Sequence, residues 1–440
     1  MIQFAKSVVK RALPVGTWER FRGRWWRYLR PLTVDYCPVI LPWFSTARTS
    51  GPAVPLHQLA TSFHWANRWS AVTALAYGVA LIRWPFRFAY ESTVALKRYG
   101  PGIADKHGVS LGHQAAGILR HGLIDNIPAL YYYRYRLFDR HNATLAGSFI
   151  HPEEMSVLYP TLAMGRPEDI PLRDKELFFE HGLTHGLPVV DAVAFFGNGA
   201  LKRWHASPAH VLPEDDLVLK PVDSGGGSGF QLWTYDSARK VWQREGLALD
   251  GPQFLEHCGR CSALHRHVLQ RRLRNHPQLH ALSGKGLSTL RIVTYRGVDG
   301  AQGTLVECLR MPTGQSPIDN FDAGGITAPI DGSSGILGPA IAKDPRPGPF
   351  ARHPDSDAHI DGHVVPHFAE ARALTLRAHA CFPWVPFVGW DVVVTADGPV
   401  LLEANPDFGV EHAQISMSRP LGETAYPRVY LDYVAATRRA

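Results

Sequence analysis

Apolar and polar positions change their rhythm twice along the chain. Over residues 2–13 the polar side chains Gln3, Lys6, Ser7, Lys10 and Arg11 recur at helical spacing opposite Ile2, Ala5, Val9 and Ala12, which predicts a basic amphipathic helix. Residues 42–55 are rich in Pro, Ser, Thr and Gly and predict a linker or irregular loop. Residues 60–150 carry a mostly helical pattern, with Tyr131, Tyr132 and Tyr133 as packing residues. The longest apolar run, residues 71–82, is too short for the ~20 residues that cross a bilayer and predicts a buried helix. From about Phe149 a helix over 175–185 gives way to short apolar strands punctuated by Gly and Pro, an α+β rhythm.

Two strand pairs are interrupted by polar residues. Residues 216–221 predict a strand ending in Lys220-Pro221, and residues 230–235 predict a second; Asp223-Ser224-Gly225-Gly226-Gly227-Ser228-Gly229 joins them. Such a hairpin lets backbone N–H groups approach phosphate oxygens, because no Cβ stands in the way, and Lys220 adds a point charge. It lacks the Gly-Lys-Ser/Thr ending of a Walker loop and leads into a strand instead of a helix. A plain hairpin has the same composition, so the loop alone leaves both readings open.

The second pair is Gly389-Trp-Asp391-Val-Val-Val-Thr-Ala-Asp-Gly398-Pro-Val-Leu-Leu-Glu403-Ala-Asn405. A three-residue loop, Ala396-Asp397-Gly398, places Thr395 opposite Pro399 and Asp391 opposite Glu403, with Asn405 on the same face. A two-residue loop would shift this register. Three oxygen-bearing side chains on one apolar hairpin predict a site for a hard cation such as Mg²⁺. The plainer reading, an edge hairpin with solvated acids, does not explain why they interrupt so apolar a pair.

Length and composition narrow the class. A chain of 440 residues predicts two or three structural units, and 45% apolar residues with 12 Trp and 20 Phe exclude global disorder. Its 40 Gly and 34 Pro predict many turns. Residues 1–30 carry eight Lys or Arg against one acid, out of 46 and 39 in the whole chain, so the excess of +7 resides in this arm and the body is neutral. That argues against a nucleic-acid groove on the body. Arginines interleaved with aromatics over residues 18–30 suit peripheral contact with an anionic membrane face, or else a helix packed on the body with solvated charges. Five cysteines, Cys37, Cys258, Cys261, Cys308 and Cys381, predict reduced thiols and a cytoplasmic setting, and residues 1–13 lack the apolar core of a secretory signal.

The glycine loop and the acidic hairpin, in this order, resemble the ATP-grasp superfamily over roughly residues 150–415. Asp174-Lys175 with Gly186-Leu-Pro188 looks like a further family segment, and so does Val268-Leu-Gln270-Arg-Arg-Leu273, the strand and hinge that hold adenine; the family often has Glu where Gln270 stands. Ser288-Thr-Leu-Arg291 looks like its arginine strand, and Asn320-Phe-Asp-Ala-Gly324-Gly325 points to the sugar-transfer-associated group, which is linked with bacterial exopolysaccharide assembly.

The resemblance implies an ATP-grasp fold of two α+β lobes after a mainly helical region. The expected domains are 1–150 and 151–440, with a phosphate-loop lobe near 215–282 and a metal lobe near 285–415. It further implies that Lys175, Lys220, Ser224, Gly225, Gly226, Gly227, Ser228, Gly229, Gln270 and Leu273 hold ATP. Asp391, Glu403 and Asn405 hold one or two Mg²⁺, Arg291 and Arg310 are catalytic, and Asn320, Gly324 and Gly325 form a substrate loop or an ordinary turn. The implied reaction activates a carboxylate as an acylphosphate for an amine or other nucleophile, with an undefined carboxylate, amine or glycan-linked substrate. Phosphotransfer to a hydroxyl and a non-catalytic nucleotide-binding scaffold are the alternatives.

Two further groupings are read as ordinary structure. His257-Cys258-Gly-Arg-Cys261 lacks the second Cys pair of a zinc site and predicts a helix with buried thiols. His181 and His185 lie one helical turn apart, close enough to share a metal, but at a helix C-terminus where histidine is common.

Overall fold

The helical periodicity of the N-terminal third produces α1 (Val54–Ala66), α2 (Ala71–His107), α3 (Leu111–Ile124), α4 (Ala129–Arg134), α5 (Arg140–Thr144) and α6 (Pro152–Leu158). The computed structural model describes residues 51–66, 71–159, 171–205, 211–223, 229–284, 286–314, 316 and 319–437, and the expected helix over 2–13 lies outside them. Contacts divide the chain into two units, Met1–Pro160 and Thr161–Ala440.

In the first unit Ser110 caps α3 and Asp139 caps α5 by accepting from backbone N–H groups. Tyr132 and Tyr133 are buried, and the Tyr133 hydroxyl donates to Gln114 Oε1 at 2.8 Å. The apolar run at the start of α2 departs from its expected burial, because Leu75 and Ile82 are each 71% exposed. The covered side of α2 lies further along, at Phe88, Ala95, Tyr99 and Ile103. At 1.5 Å per residue α2 is about 55 Å long and α3 about 21 Å, so α3 can cover only part of it. Among the described residues no helix is long and apolar enough to cross a membrane.

The second unit holds two antiparallel sheets. The first comprises β1 (Ala192–Gly197), β2 (Ala200–Trp204), β3 (Leu217–Pro221), β4 (Gln231–Asp236), β5 (Val241–Arg244), β6 (Leu247–Leu249) and β7 (His267–Arg271), in the order β2-β1-β7-β3-β4-β5-β6. It begins well before residue 215, because β1 lies beside β7. Alternation along β3 and β7 sends Leu217, Leu219 and Leu269 into a core with Trp233, Trp242, Phe254 and Cys258, under helix α8 (Gly251–Cys261). Lys220, Val268 and Gln270 share the other face.

The second sheet comprises β8 (Thr289–Arg296), β9 (Gln302–Met311), β10 (Ile326–Pro329), β11 (Ile341–Ala342), β12 (Phe387–Thr395) and β13 (Gly398–Asn405), in the order β11-β10-β9-β8-β12-β13. Helix α10 (Phe368–Ala380), which follows the short α9 (His280–Ser283), buries Phe368, Ala371, Leu374, Thr375, Ala378 and His379 at helical spacing and packs on β8, β12 and β13. His379 Nδ1 lies 2.6 Å from Thr294 Oγ1, which accepts from Trp390 Nε1 at 2.8 Å. Trp390, Val392 and Val394 therefore face α10, and Asp391 is left to the opposite face.

Candidate functional site

The row of functional groups is set by strand register. Arg291 on β8 pairs with Asp391 on β12, and Asp391 pairs with Glu403 on β13, so the three side chains line up across one face. Arg310 on β9 is opposite Thr289, two residues from Arg291, and joins that face. Gly389 makes room: a Cβ there would lie 2.8 Å from Phe408 Cβ and 3.2 Å from Arg291 Nη1.

The Asp391–Glu403 pair forms as expected, by a different route. The ladder closes on Thr395 and Gly398, which leaves a two-residue turn, Ala396-Asp397, where a three-residue loop was expected. An extra residue, Leu402, bulges between the Val392–Leu401 and Asp391–Glu403 pairs and restores the offset.

Asp391 is 2% exposed, and among the described residues its Oδ1 atom accepts no hydrogen bond. Burial pushes its carboxyl up from the ordinary range, against the pull of Arg291 and Arg310. Glu403 is also penalised by burial, but Lys175 and Lys220 outweigh that and hold it well below the usual range. Asn405 Nδ2 lies 3.5 Å from Glu403 Oε1.

The first sheet and α7 (Lys175–Thr184) supply the cations. Asp174 caps α7 by accepting from the Glu176 and Leu177 N–H groups, and it also pairs with Arg266. Lys175 Nζ then reaches Val222 O at 3.3 Å and Glu403 Oε2 at 3.9 Å. Burial pushes the Lys220 ammonium down to about 8; Glu403 and Asp391 oppose that shift and Lys175 reinforces it. A cleft of about 410 Å³ opens here between Lys175, Asp223, Glu403 and Asn405.

Ser224, Gly225, Gly226, Gly227 and Ser228 lie outside the described residues. Gly229 has φ +77°, and a Cβ there would meet Pro221 Cγ at 2.8 Å, so this end of the loop requires glycine. Gln270 is buried on β7 beside Val218, on the face of Lys220, and Leu273 is half-buried beyond the strand end.

Arg310 spends its guanidinium fork on Asp319: Nη2 donates to Oδ1 at 2.8 Å and Nε to Oδ2 at 3.3 Å. Asp319 also accepts from Thr289 N at 3.0 Å, and its charge holds the Arg310 pKa above the ordinary range despite burial. Sequence reading missed Asp319, because its partners lie 9 and 30 residues away in other strands. It also missed the fork between Arg173 and Asp407, with N···O distances of 2.6 and 2.9 Å, at the rim of the cleft.

Asn320, Gly324 and Gly325 build a turn. Asn320 Oδ1 accepts from Asp322 N, Gly324 has φ +103°, and a Cβ on Gly325 would lie 2.9 Å from Asp319 O. Asn320 also lines a recess of about 60 Å³ with Arg291, Arg310, Thr327 and His412. His412 belongs to α11 (Val410–Met417), which precedes the last helix, α12 (Tyr426–Thr437).

The sequence pattern of a family described as sugar-transfer associated ATP-grasp matches residues 161–425. Among solved structures, an N5-carboxyaminoimidazole ribonucleotide synthetase in an ADP complex aligns at 13% identity over 58% of this chain and 54% of its own, with a TM-score of 0.33. The same synthetase from Thermotoga maritima aligns at 11% over 64% and 52%, with a TM-score of 0.30. An L-amino acid ligase from Bacillus licheniformis aligns at 12% over 69% and 60%, with a TM-score of 0.35. The chain thus spans about half the length of the first two structures. No curated protein matches.

Proposed function

The chain belongs to the sugar-transfer-associated ATP-grasp family and has the ATP-grasp fold, and from that premise we propose that it is an ATP- and Mg²⁺-dependent ligase that activates a carboxylate for attack by an amine or another nucleophile. One observation carries the reading. A buried carboxylate oxygen without a hydrogen bond among the described residues, Asp391 Oδ1, stands beside Glu403 and Asn405 and faces Lys220 of the other sheet.

These residues fit Mg²⁺, which prefers hard oxygen donors and takes the rest of its shell from water and phosphate. Asp391, Glu403 and Asn405 would hold it, and when bound it neutralises phosphate charge. Lys175 and Lys220 bind phosphate oxygens and offset the charge that ATP brings. Gln270 and Leu273 line the adenine end. The described part of the glycine hairpin, Gly229, leaves its backbone free to approach phosphate.

Arg291 faces both Asp391 and the small recess, so it is suited to hold the transferred phosphoryl group or the acyl oxygen. Arg310, locked by Asp319, keeps the recess positive and positions Arg291 through their shared partner Asp391. The recess, with Asn320 at its rim, takes the acceptor carboxylate. The family's association with sugar transfer supports an acceptor in bacterial cell-surface or exopolysaccharide synthesis.

The test is ADP release over a panel of carboxylates and amines, with and without hydroxylamine. A carboxylate-dependent, Mg²⁺-dependent hydroxamate is expected. ADP release with phosphate on a hydroxyl and no hydroxamate would replace the ligase reading with phosphotransfer. ATP binding with no release in any pairing would favour a scaffold.

A further inference from the structure

His181 and His185 occupy successive turns at the end of α7, with ring centroids 4.0 Å apart and planes 27° from parallel. The chain brings a third donor to them from a distant segment. Cys381 caps the C-terminus of α10, and its sulfur lies with one nitrogen of each histidine in a group whose atoms are all within 4.8 Å of one another.

The donor atoms have little else to do. The Nε2 atom of His181 is buried and has no hydrogen-bond partner among the described residues. His185 Nδ1 lies 2.9 Å from His181 O. A hydrogen bond to that carbonyl requires the proton on Nδ1 and leaves the lone pair on Nε2. The Cys381 thiol makes a long hydrogen bond, 3.7 Å, to Arg377 O.

We propose that His181, His185 and Cys381 bind a borderline transition-metal cation, with Zn²⁺ as the fitting ion. Two imidazoles and one thiolate are soft for Mg²⁺ and match zinc, whose tetrahedral shell is completed by a water on the exposed side of His185. Binding forms one metal–sulfur bond and releases the thiol proton to solvent. Histidines at i and i+4 already share a helix face, so small side-chain rotations suffice to close the triangle.

The ion joins two segments that lead into the ATP site. Helix α7 carries Lys175 at its other end, roughly 15 Å away at 1.5 Å per residue. Cys381 lies at the start of the connection into β12, which carries Asp391. The site is a staple that holds Lys175 against the second sheet, and it does not depend on the reaction performed there.

The experiment uses the full chain stripped of metal and titrated with Co²⁺ in excess Mg²⁺. A thiolate-to-cobalt charge-transfer band is expected, saturating at one ion per chain and bleached by Zn²⁺. In competition with a chromophoric chelator, C381S should lose the band and bind Zn²⁺ at least ~10-fold more weakly, since even loss of an outer-shell partner costs that much. H185A, at an exposed position, should weaken Zn²⁺ binding comparably while keeping the metal-free melting temperature. C261S should change neither, because Cys261 sits with His257 at 3.4 Å in a different helix. No charge-transfer band in the wild type, a band that survives in C381S, or unchanged zinc affinity in H185A overturns the proposal.

Discussion

Arg291 Nε lies 2.6 Å from Asp391 Oδ1, yet the two atoms are not aligned as a hydrogen bond. Arg291 Nη2 donates to Asp391 Oδ2 at 3.2 Å, so the pair is hydrogen-bonded through one oxygen, and the other, Oδ1, keeps its capacity to accept. A buried carboxylate oxygen with a lone pair to spare is a ready donor to a hard cation. D391N keeps the shape and removes the charge. ADP-forming turnover should fall by at least ~10²–10³-fold, the usual cost of removing one group that stabilises charge in the transition state. A coupled ADP assay checks this; wild-type turnover in D391N would refute the metal assignment.

Gly389 tests the spacing around Arg291. Its Cβ would collide with Phe408 Cβ, inside a buried strand that cannot shift cheaply. G389A should lose ~1–3 kcal/mol of stability, as overpacked cores do. It should also displace the Arg291 guanidinium and lower kcat more than it changes the KM for ATP. Thermal melts and steady-state kinetics on the same preparation separate the two effects.

Gly229 makes the complementary case on the nucleotide side. G229A adds a side chain at φ +77° and a contact with Pro221. The left-handed conformation alone costs ~1–2 kcal/mol. The expected result is a raised KM for ATP with kcat less affected, because the phosphate hairpin is distorted and the second sheet is not.

Lys220 should give ATP binding a pH dependence. With its pKa pushed down to about 8, the lysine is charged at pH 7 and largely neutral at pH 9. Nucleotide-free stability and ATP affinity then respond with opposite signs. Between about 8 and the unfolded value near 10.5 the unfolded chain holds more protons, so this group's contribution to folding stability rises with pH. ATP affinity should instead weaken, by about 10-fold at most, as the cation is lost. Calorimetric titration from pH 7 to 9 measures it. K220M should bind ATP weakly at both ends and show no such slope.

Much of this was legible in the chain because it is local. The polar interruptions at Asp391, Glu403 and Asn405 stand out against apolar strands whose period is two. Lys220 is marked by the glycine hairpin that follows it, and α7 by its Asp174 cap and the Gly186-Leu-Pro188 exit. The recess was harder to see. Arg310 reads as a catalytic arginine, and nothing near it in the chain shows that the turn beginning at Asp319 folds back to claim its fork. The run over 71–82 reads as buried, since periodicity shows that a helix forms and not what covers it.

By itself the sequence determined the strands that flank the glycine loop and the acidic hairpin, which residue types interrupt them, and a register in which Asp391 faces Glu403. Backbone preference and side-chain alternation act over a few residues, and those few residues are adjacent in the chain. Only the tertiary structure decided how the hairpin keeps that pairing, with a two-residue turn corrected by the Leu402 bulge. It also decided that Lys175 meets Glu403, that Asp319 claims Arg310, and that Cys381 comes to rest beside His181 and His185. Each of those contacts closes a long loop between groups whose neighbours in sequence are unrelated. Their geometry is therefore set by the packing of whole sheets and helices, and no local pattern records it.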